Sequence, residues 1–248
     1  VDADHLDIYG THEQMLKAFV QFSTQVEQGG LLWHSDVVLP LQKATEKGMD
    51  LLPEIYGELA PKSTLSDHGW AAGYSEVGPH NASGGAKARF ELHLRDQAPM
   101  EVLWRMPGPH NAANATAAAY LACRAGMEPR AIPAALAAFP GVARRFEIKY
   151  RSGGKAIIDD YAHHPTEVEG AIAAARQTFL GQRITGVFQP HLYSRTQDFM
   201  EGFAQALSAL DNCLILPIYA ARENPLPGVD AQGIGEKMVG CPVACPSE

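Results

Sequence analysis

The chain has 248 residues, of which 46% are hydrophobic and 19% are charged, so it can bury one large core or two ordinary ones. Its formal net charge of −8 argues against nucleic acid as a partner, because binding along a polyanion needs a basic face. No apolar run approaches the roughly 18 residues of a membrane-spanning helix, and residues 1–5 lack the basic and apolar regions of a signal peptide. We therefore expect a globular, cytoplasmic protein without membrane insertion.

The first half of the chain carries signals for three helices and three strands. Thr11-His-Glu-Gln14 has the form of a capping box before an apolar pattern with helical spacing, and two later segments alternate apolar with polar residues as half-buried strands do. An Ala-rich segment favours helix. We predict helices over residues 11–27, 111–125 and 133–139, and strands over residues 31–33, 88–94 and 100–106.

The second half begins a regular alternation of strands and helices after Pro140-Gly141, where we place a boundary between domains 1–141 and 142–248. Alternation of this kind favours a mainly parallel sheet covered by helices, so the predicted fold class is α/β. A Ser152-Gly-Gly154 turn joins the first two strands. We predict strands over residues 146–150, 156–160, 184–188 and 213–216, helices over residues 165–179 and 194–210, and the start of another strand at 243–246.

The four cysteines, Cys123, Cys213, Cys241 and Cys245, have no paired CxxC spacing. No histidine lies near Cys241-Pro-Val-Ala-Cys245 to complete a zinc site. We therefore predict reduced thiols rather than a disulfide or a metal site.

The densest group of reactive side chains is Asp159-Asp-Tyr-Ala-His-His-Pro-Thr-Glu167. In an open α/β sheet, ligands bind beyond the carboxyl ends of the strands, and the run Ala156-Ile-Ile158 delivers the two acids to such an end. Pro165 suits the first turn of the next helix, whose N–H groups and dipole favour an anion. The segment is a candidate site, although Asp and His are also ordinary loop and cap residues.

A second group, Gln189-Pro-His-Leu-Tyr-Ser-Arg-Thr196, follows the next predicted strand. We expect His191 and Arg195 to emerge on the same sheet edge as the first group, which would form one site from two loops. The guanidinium of Arg195 is suited to clamp a carboxylate or phosphate through paired hydrogen bonds. The alternative is a surface arginine that pairs with Asp198.

Three weaker patterns remain open between function and structure. Asn111 and Asn114 lie three apart, where amides can read a base edge or simply cap a helix. Arg144-Arg145 at the predicted boundary is either a phosphate-binding pair on a hinge or a solvated basic pair. Asp4-His-Leu-Asp7 offers oxygen and nitrogen ligands for a divalent ion, but a histidine beside acids is also a common surface pair.

Taken together, these segments resemble the Mur ligase family. The resemblance covers nearly the whole chain, with its most variable part between about Leu31 and Pro99, and six motifs stand in the family's order. They are Asp4-His-Leu-Asp-Ile-Tyr-Gly10, Gly108-Pro-His-Asn-Ala-Ala-Asn114, Arg144-Arg-Phe-Glu147, Asp159–Glu167, Phe188-Gln-Pro-His-Leu-Tyr-Ser-Arg-Thr196 and Pro225-Leu-Pro-Gly228.

The resemblance implies a partial central ATPase domain over residues 1–141 and a Rossmann-like C-terminal domain over residues 142–248. It is strongest to the members that use ATP and Mg²⁺ to join L-alanine to UDP-N-acetylmuramate through an acyl phosphate, in cytoplasmic peptidoglycan precursor synthesis. That chemistry needs cations at the transferring phosphoryl group and a deprotonated amine.

The resemblance also implies roles for individual residues. His163, His191 and Arg195 would position the amino acid and the acyl phosphate, with His163 a candidate to accept the proton of the amine. The cofactor residues would be Asn111 and Asn114 at the adenine, Arg145 and Asp160 at ATP, and His5 at magnesium.

The chain departs from the family's pattern at several points. Leu192 and Gln197 stand where the family often has basic residues, so carboxylate binding rests more heavily on Arg195, and Asp2 stands where Glu is frequent. The phosphate-binding loop G-x-x-x-x-G-K-[ST] is absent; its nearest strings, Gly84-Gly-Ala-Lys87 and Gly153-Gly-Lys155, are predicted hairpin turns.

We therefore expect a C-terminal portion of such an enzyme, whose UDP-binding domain and phosphate-binding loop belong to a missing N-terminal part, and which is inactive alone. Two alternatives are a recycling ligase that attaches an intact tripeptide to UDP-N-acetylmuramate and a non-catalytic module that retains the fold.

Overall fold

The computed structural model of the chain describes residues 6–26, 30–44, 53–80 and 87–246. The chain forms two compact units, Val1–Pro140 and Gly141–Glu248. None of the helices in the described ranges is both long and apolar enough to cross a membrane. His5, the predicted magnesium ligand, and Gly84-Gly85 of one predicted hairpin turn lie outside these ranges.

The first unit contains a five-stranded mixed sheet, in which β1, β2 and β3 are parallel while β4 and β5 run antiparallel to their neighbours. Its strands are β1 (Leu32–His34), β2 (Glu54–Glu58), β3 (Ala72–His80), β4 (Lys87–Leu94) and β5 (Met100–Trp104). Its helices are α1 (Leu6–Tyr9), α2 (His12–Ser23), α3 (Ser35–Ala44), α4 (Leu65–His68), α5 (Pro109–Arg124) and α6 (Ile132–Ala138).

Both faces of this sheet are covered, because successive side chains of a strand point in opposite directions. On β1, Leu32 packs against the large cluster built from β3, β4, β5 and α5, whereas Trp33 belongs to a separate cluster with Val20 of α2 and Leu41 of α3. The Ala-rich face of α5 lets that helix approach the sheet closely, and Ala112 is fully buried there. The sheet is thereby sandwiched between two helical layers.

Most of the predicted elements of this unit are confirmed, with shifted ends. The side chain of Thr11 accepts a hydrogen bond from the Gln14 backbone N–H at 3.2 Å, as a helix cap does, but α2 ends at Ser23 rather than at residue 27. The antiparallel pair β4–β5 is present. No sequence signal predicted α1, β2, β3, α3 or α4; β3 carries Gly73, Gly78 and Pro79 and has a register shift between Ser75 and Gly78, so its alternation is broken.

The second unit combines a two-stranded antiparallel hairpin with a three-stranded parallel sheet in the order β10-β9-β8. Its strands are β6 (Glu147–Ser152), β7 (Lys155–Asp159), β8 (Thr185–Phe188), β9 (Asn212–Ile215) and β10 (Val243–Ala244). Its helices are α7 (Pro165–Thr178), α8 (Tyr193–Leu207) and α9 (Ala231–Lys237).

Gly153 and Gly154 form the turn of the β6–β7 hairpin, so the predicted hairpin turn at Gly153-Gly-Lys155 is confirmed. Ser152 pairs with Lys155, and both glycines have positive φ, +57° and +73°, as a two-residue turn that matches the strand twist requires. However, β7 pairs with β6 and does not join β8 within the described strands. The prediction that the two candidate loops leave one shared sheet edge is therefore wrong.

The cysteines are free thiols, as predicted. Cys213 lies on β9 in the core, where burial, followed by the neighbouring Cys241 and Cys245, raises its pKa to about 12. Such a thiol is protonated at neutral pH and unreactive.

Asp211 ties three segments of the second unit together. Its Oδ2 accepts a hydrogen bond from Nη1 of Arg176 at 2.6 Å and one from the backbone N–H of Ile184 at 2.7 Å, so the turn before β9 holds both α7 and the segment leading into β8. The hydrogen bond from Arg176, followed by that from Ile184, lowers the pKa of the Asp211 carboxyl below its ordinary 3.8.

We expect Asp211→Asn to destabilise the second unit at neutral pH. Because the folded-state pKa is lowered, the contribution of Asp211 is present above pH 3.8 and is lost as the pH falls through the lowered value. Urea unfolding of wild type and variant at a series of pH values measures this, and their stabilities should converge in acid. Glu169→Gln, at an exposed acid on α7, is the control; a difference between wild type and Asp211→Asn that does not change with pH would contradict the prediction.

Candidate active site

The loop after β7 is organised around the carboxylate of Asp160. Its Oδ2 accepts a hydrogen bond from the backbone N–H of Phe146 at 2.8 Å, and its Oδ1 accepts one from Ala162 at 2.9 Å. Phe146 has a positive φ of +48°, which is unfavourable for a residue with a side chain. Asp160 thus fastens the Arg144–Glu147 segment to the histidine loop.

Glu167, in the first turn of α7, connects the two predicted site residues His163 and Arg145. Its Oε2 accepts a hydrogen bond from the backbone N–H of His163 at 2.9 Å, and its Oε1 lies 3.6 Å from Nη1 of Arg145. The Arg145 side chain is 45% exposed, so the guanidinium keeps access to solvent. No role was predicted for Glu167, although its i,i+4 spacing from His163 was a usable signal.

Tyr161 forms an aromatic surface on this loop. The guanidinium of Arg144 lies 4.5 Å from the ring centroid, that of Arg145 lies 5.9 Å from it, and the His163 ring is 5.0 Å away. The Tyr161 backbone N–H also donates to the carbonyl of Arg144 at 2.7 Å. Two cations and an imidazole therefore surround one half-exposed ring, an arrangement suited to a planar or anionic ligand.

His164 is held differently from its neighbour. Its Nδ1 accepts a hydrogen bond from the Thr166 backbone N–H at 3.3 Å, so it caps α7, and its ring packs edge-on against Phe199 of α8 with centroids 4.7 Å apart. Its Nε2 is buried with no hydrogen-bond partner. Phe199 is the residue at which α8 departs from helical dihedral angles.

The second loop follows β8 and is held by the segment around Tyr219. The His191 ring stacks on Tyr219 with centroids 5.5 Å apart, and Leu192 donates its backbone N–H to the Tyr219 carbonyl at 3.0 Å. Glu223 accepts hydrogen bonds from both the backbone N–H and the hydroxyl of Ser194, at 3.0 and 2.5 Å. Its carboxylate therefore binds the first turn of α8. No sequence signal pointed to this pair, which is 29 residues apart.

Leu192 and Arg195 are both buried, at 9% and 8% exposure. The surface position that the alternative gave Arg195 is therefore wrong, whereas its pairing with Asp198 stays a prediction. Leu192 has a positive φ of +70° and its side chain lies in the interior, so it contributes no polar group to this loop.

The charges of the two loops act on each other. Burial lowers the pKa of the His191 imidazole, and the positive charges of Arg195 and of protonated His163 lower it further, whereas Glu223 opposes them. His191 is therefore neutral at pH 7 and can donate or accept a hydrogen bond. The charges of His163 and Arg195 thus reach His191, although the loops that carry the two histidines leave different sheets.

The predicted adenine residues lie on α5 in the first unit and do not form a matched pair. Asn111 is 6% exposed, and its Nδ2 donates to the carbonyl of Pro107 at 2.7 Å, whereas Asn114 is exposed. Asn111 thus fixes the turn that leads into α5, with its Oδ1 still available as an acceptor. Within residues 6–26, 30–44, 53–80 and 87–246, no three His, Cys, Asp or Glu side chains are grouped as metal ligands.

Known proteins are similar to this chain in sequence and in fold. Residues 144–246 match the family described as Mur ligase, glutamate ligase domain. The chain is 39% identical over 241 residues to the UDP-N-acetylmuramate–L-alanine ligase of Arthrobacter sp. strain FB24, a match that covers 96% of this chain and 48% of that protein. The chain spans about half the length of the curated relatives it matches.

Solved structures have the same fold at lower identity. The UDP-N-acetylmuramate–alanine ligase from Thermotoga maritima superimposes with a TM-score of 0.69 at 22% identity, over 99% of this chain and 49% of that one. A murein peptide ligase from Psychrobacter arcticus 273-4 gives a TM-score of 0.56 at 20% identity, over 94% of this chain and 47% of that one. The domain match and the similarity along almost its full length show that the chain belongs to the Mur ligase family.

Proposed function

We propose that this chain is part of a cytoplasmic, ATP-dependent ligase that joins L-alanine to UDP-N-acetylmuramate in peptidoglycan precursor synthesis. The observation that carries the proposal is the 39% identity, over 96% of this chain, to a ligase of that name, and His163, His191 and Arg195 follow the strands β7 and β8 of the second unit. Residues 1–141 would belong to the central ATP-binding domain and residues 142–248 to the C-terminal domain.

ATP, when bound, supplies the phosphoryl group that activates the carboxylate of UDP-N-acetylmuramate. Arg145 and Arg144 are partly exposed cations that fit its phosphates, and Asp160 holds the segment that carries them. Asn111, through its Oδ1, and Asn114, at the exposed start of α5, fit hydrogen bonding to the adenine. Mg²⁺ is proposed as a second cofactor with His5 as its ligand.

The amino-acid half of the reaction rests on the second unit. Arg195 offers a buried guanidinium that can bind a carboxylate or the phosphoryl oxygens with two parallel hydrogen bonds. His191, neutral at pH 7, can orient a substrate without repelling the cation beside it. His163 stands at the loop where an incoming amine would lose its proton.

Phosphate release by the full-length enzyme, with UDP-N-acetylmuramate, ATP and either L-alanine or the tripeptide as acceptor, tests the proposal. We expect turnover with L-alanine. Turnover with the tripeptide and none with L-alanine would support the recycling ligase instead, and no turnover with either would support a non-catalytic module.

We further expect the 248-residue chain alone to release phosphate at no more than a trace of the full-length rate. The chain contains no G-x-x-x-x-G-K-[ST] sequence, so it lacks the backbone loop that wraps the β- and γ-phosphates. The same assay with equal concentrations of both proteins measures this, and comparable rates would contradict it.

A further inference from the structure

Two oxygen atoms surround Nδ1 of His163. The carbonyl oxygen of Tyr161 lies 2.9 Å from this nitrogen, and Oε2 of Glu167 lies 3.2 Å from it. A carbonyl and an ionised carboxylate only accept hydrogen bonds. Nδ1 must therefore carry the hydrogen, which leaves Nε2 of the neutral ring with its lone pair.

Glu167 fixes the ring in a second way. The same Oε2 atom accepts the backbone N–H of His163 at 2.9 Å, so one carboxylate oxygen controls both the main chain and the side chain of this residue. Arg145, 3.6 Å from Oε1, holds the other end of the carboxylate and offsets its charge. The His163 side chain is 25% exposed, so the ring is oriented by these contacts but remains accessible to a ligand.

We propose that Glu167 is a positioning residue that holds His163 in the Nδ1–H tautomer, so that Nε2 is the atom that accepts the proton of the attacking amine. This role rests on the proposed ligase function. As the amine nitrogen forms its bond to the activated carbonyl carbon and phosphate departs, the extra proton on that nitrogen passes to Nε2. The resulting imidazolium is stabilised by the carboxylate of Glu167.

The adjacent His164 provides an internal reference. Its Nδ1 accepts a hydrogen bond from Thr166, so its hydrogen must lie on Nε2 when the ring is neutral. Two consecutive histidines are therefore held in opposite tautomers, a pattern that a solvated loop would not produce.

The first test uses the 248-residue chain and needs no catalysis. Long-range ¹H–¹⁵N correlation spectra of the neutral histidines, recorded at about pH 8, distinguish protonated from unprotonated ring nitrogens, and His163→Gln identifies the His163 signals by their loss. We expect hydrogen on Nδ1 of His163 and on Nε2 of His164. A dominant Nε2–H form of His163 would overturn the proposal.

Glu167→Gln supplies the second arm, because it is isosteric but places an amide N–H₂ donor within reach of Nδ1. We expect the Nε2–H population of His163 to rise in this variant, with no change in Glu169→Gln, which alters an exposed acid on the same helix. An unaltered His163 tautomer in Glu167→Gln would show that the carbonyl of Tyr161 alone fixes the tautomer, and it would refute the role of Glu167.

The full-length enzyme provides the kinetic readout. We expect Glu167→Gln to lower kcat about 10- to 100-fold, a smaller effect than the roughly 10²- to 10⁴-fold that a general base itself contributes. Unchanged kcat would refute the role even if the tautomer shifts. A full-length enzyme without ligase activity would contradict the proposed function. The ¹H–¹⁵N spectra would still show whether Glu167 holds His163 in the Nδ1–H tautomer.

Discussion

Replacing Arg195 with alanine in the full-length enzyme is expected to lower kcat about 10²- to 10³-fold, the usual cost of removing a fixed group that stabilises transition-state charge. Arg195 as a residue is 8% exposed, so its charge acts on a substrate with little screening by water, and Leu192 supplies no second cation in this loop. Steady-state phosphate release at varied L-alanine and ATP concentrations measures the effect.

Two variants separate the chemistry of Arg195 from its packing. Arg195→Lys keeps the charge but loses the planar fork, so its kcat is expected to fall between those of wild type and Arg195→Ala. Arg183→Ala removes an exposed guanidinium from the same unit and is expected to leave kcat unchanged. Urea unfolding of the same variants reports stability separately, and Arg195→Ala with wild-type kinetics would make this residue purely structural.

The elements that the sequence predicted are those with strong local signals. The antiparallel pair β4–β5 followed from its alternation, and α7 begins at Pro165 after a histidine cap, as the first-turn preference of proline suggested. The hairpin turn at Gly153-Gly154 was predictable because the two residues between Ser152 and Lys155 need positive φ. In each case the information lies within a few neighbouring residues.

The site depends on pairings that are remote in sequence. Glu223 binds Ser194 across 29 residues, and Asp160 binds Phe146 across 14, so no spacing rule connects them. The sequence placed both histidine loops at strand ends but could not show that β7 leaves the parallel sheet, since periodicity gives a strand and not its partner. Glu167 was within reach of prediction, because it lies only four residues after His163, at the start of a predicted helix.

Asp160→Ala is expected to lower the free energy of unfolding of the second unit by about 2–3 kcal/mol, because two backbone N–H groups lose a charged acceptor at once. The three tryptophans, Trp33, Trp70 and Trp104, all belong to the first unit, so their fluorescence does not report this transition. Urea titrations followed by backbone amide NMR signals of residues 141–246 measure it directly.

The matched control is the preceding residue. Asp159 makes only a partly exposed ion pair, 3.9 Å from Nε of Arg144, and Asp159→Ala is expected to cost less than about 1 kcal/mol. Equal stabilities of the two variants would contradict the bridging role of Asp160.

Loss of the Asp160 carboxylate also removes the contact that holds Phe146 at its positive φ, so Arg145, the preceding residue, can move away from Glu167. KM for ATP in full-length Asp160→Ala is therefore expected to rise, whereas in Asp159→Ala it is not.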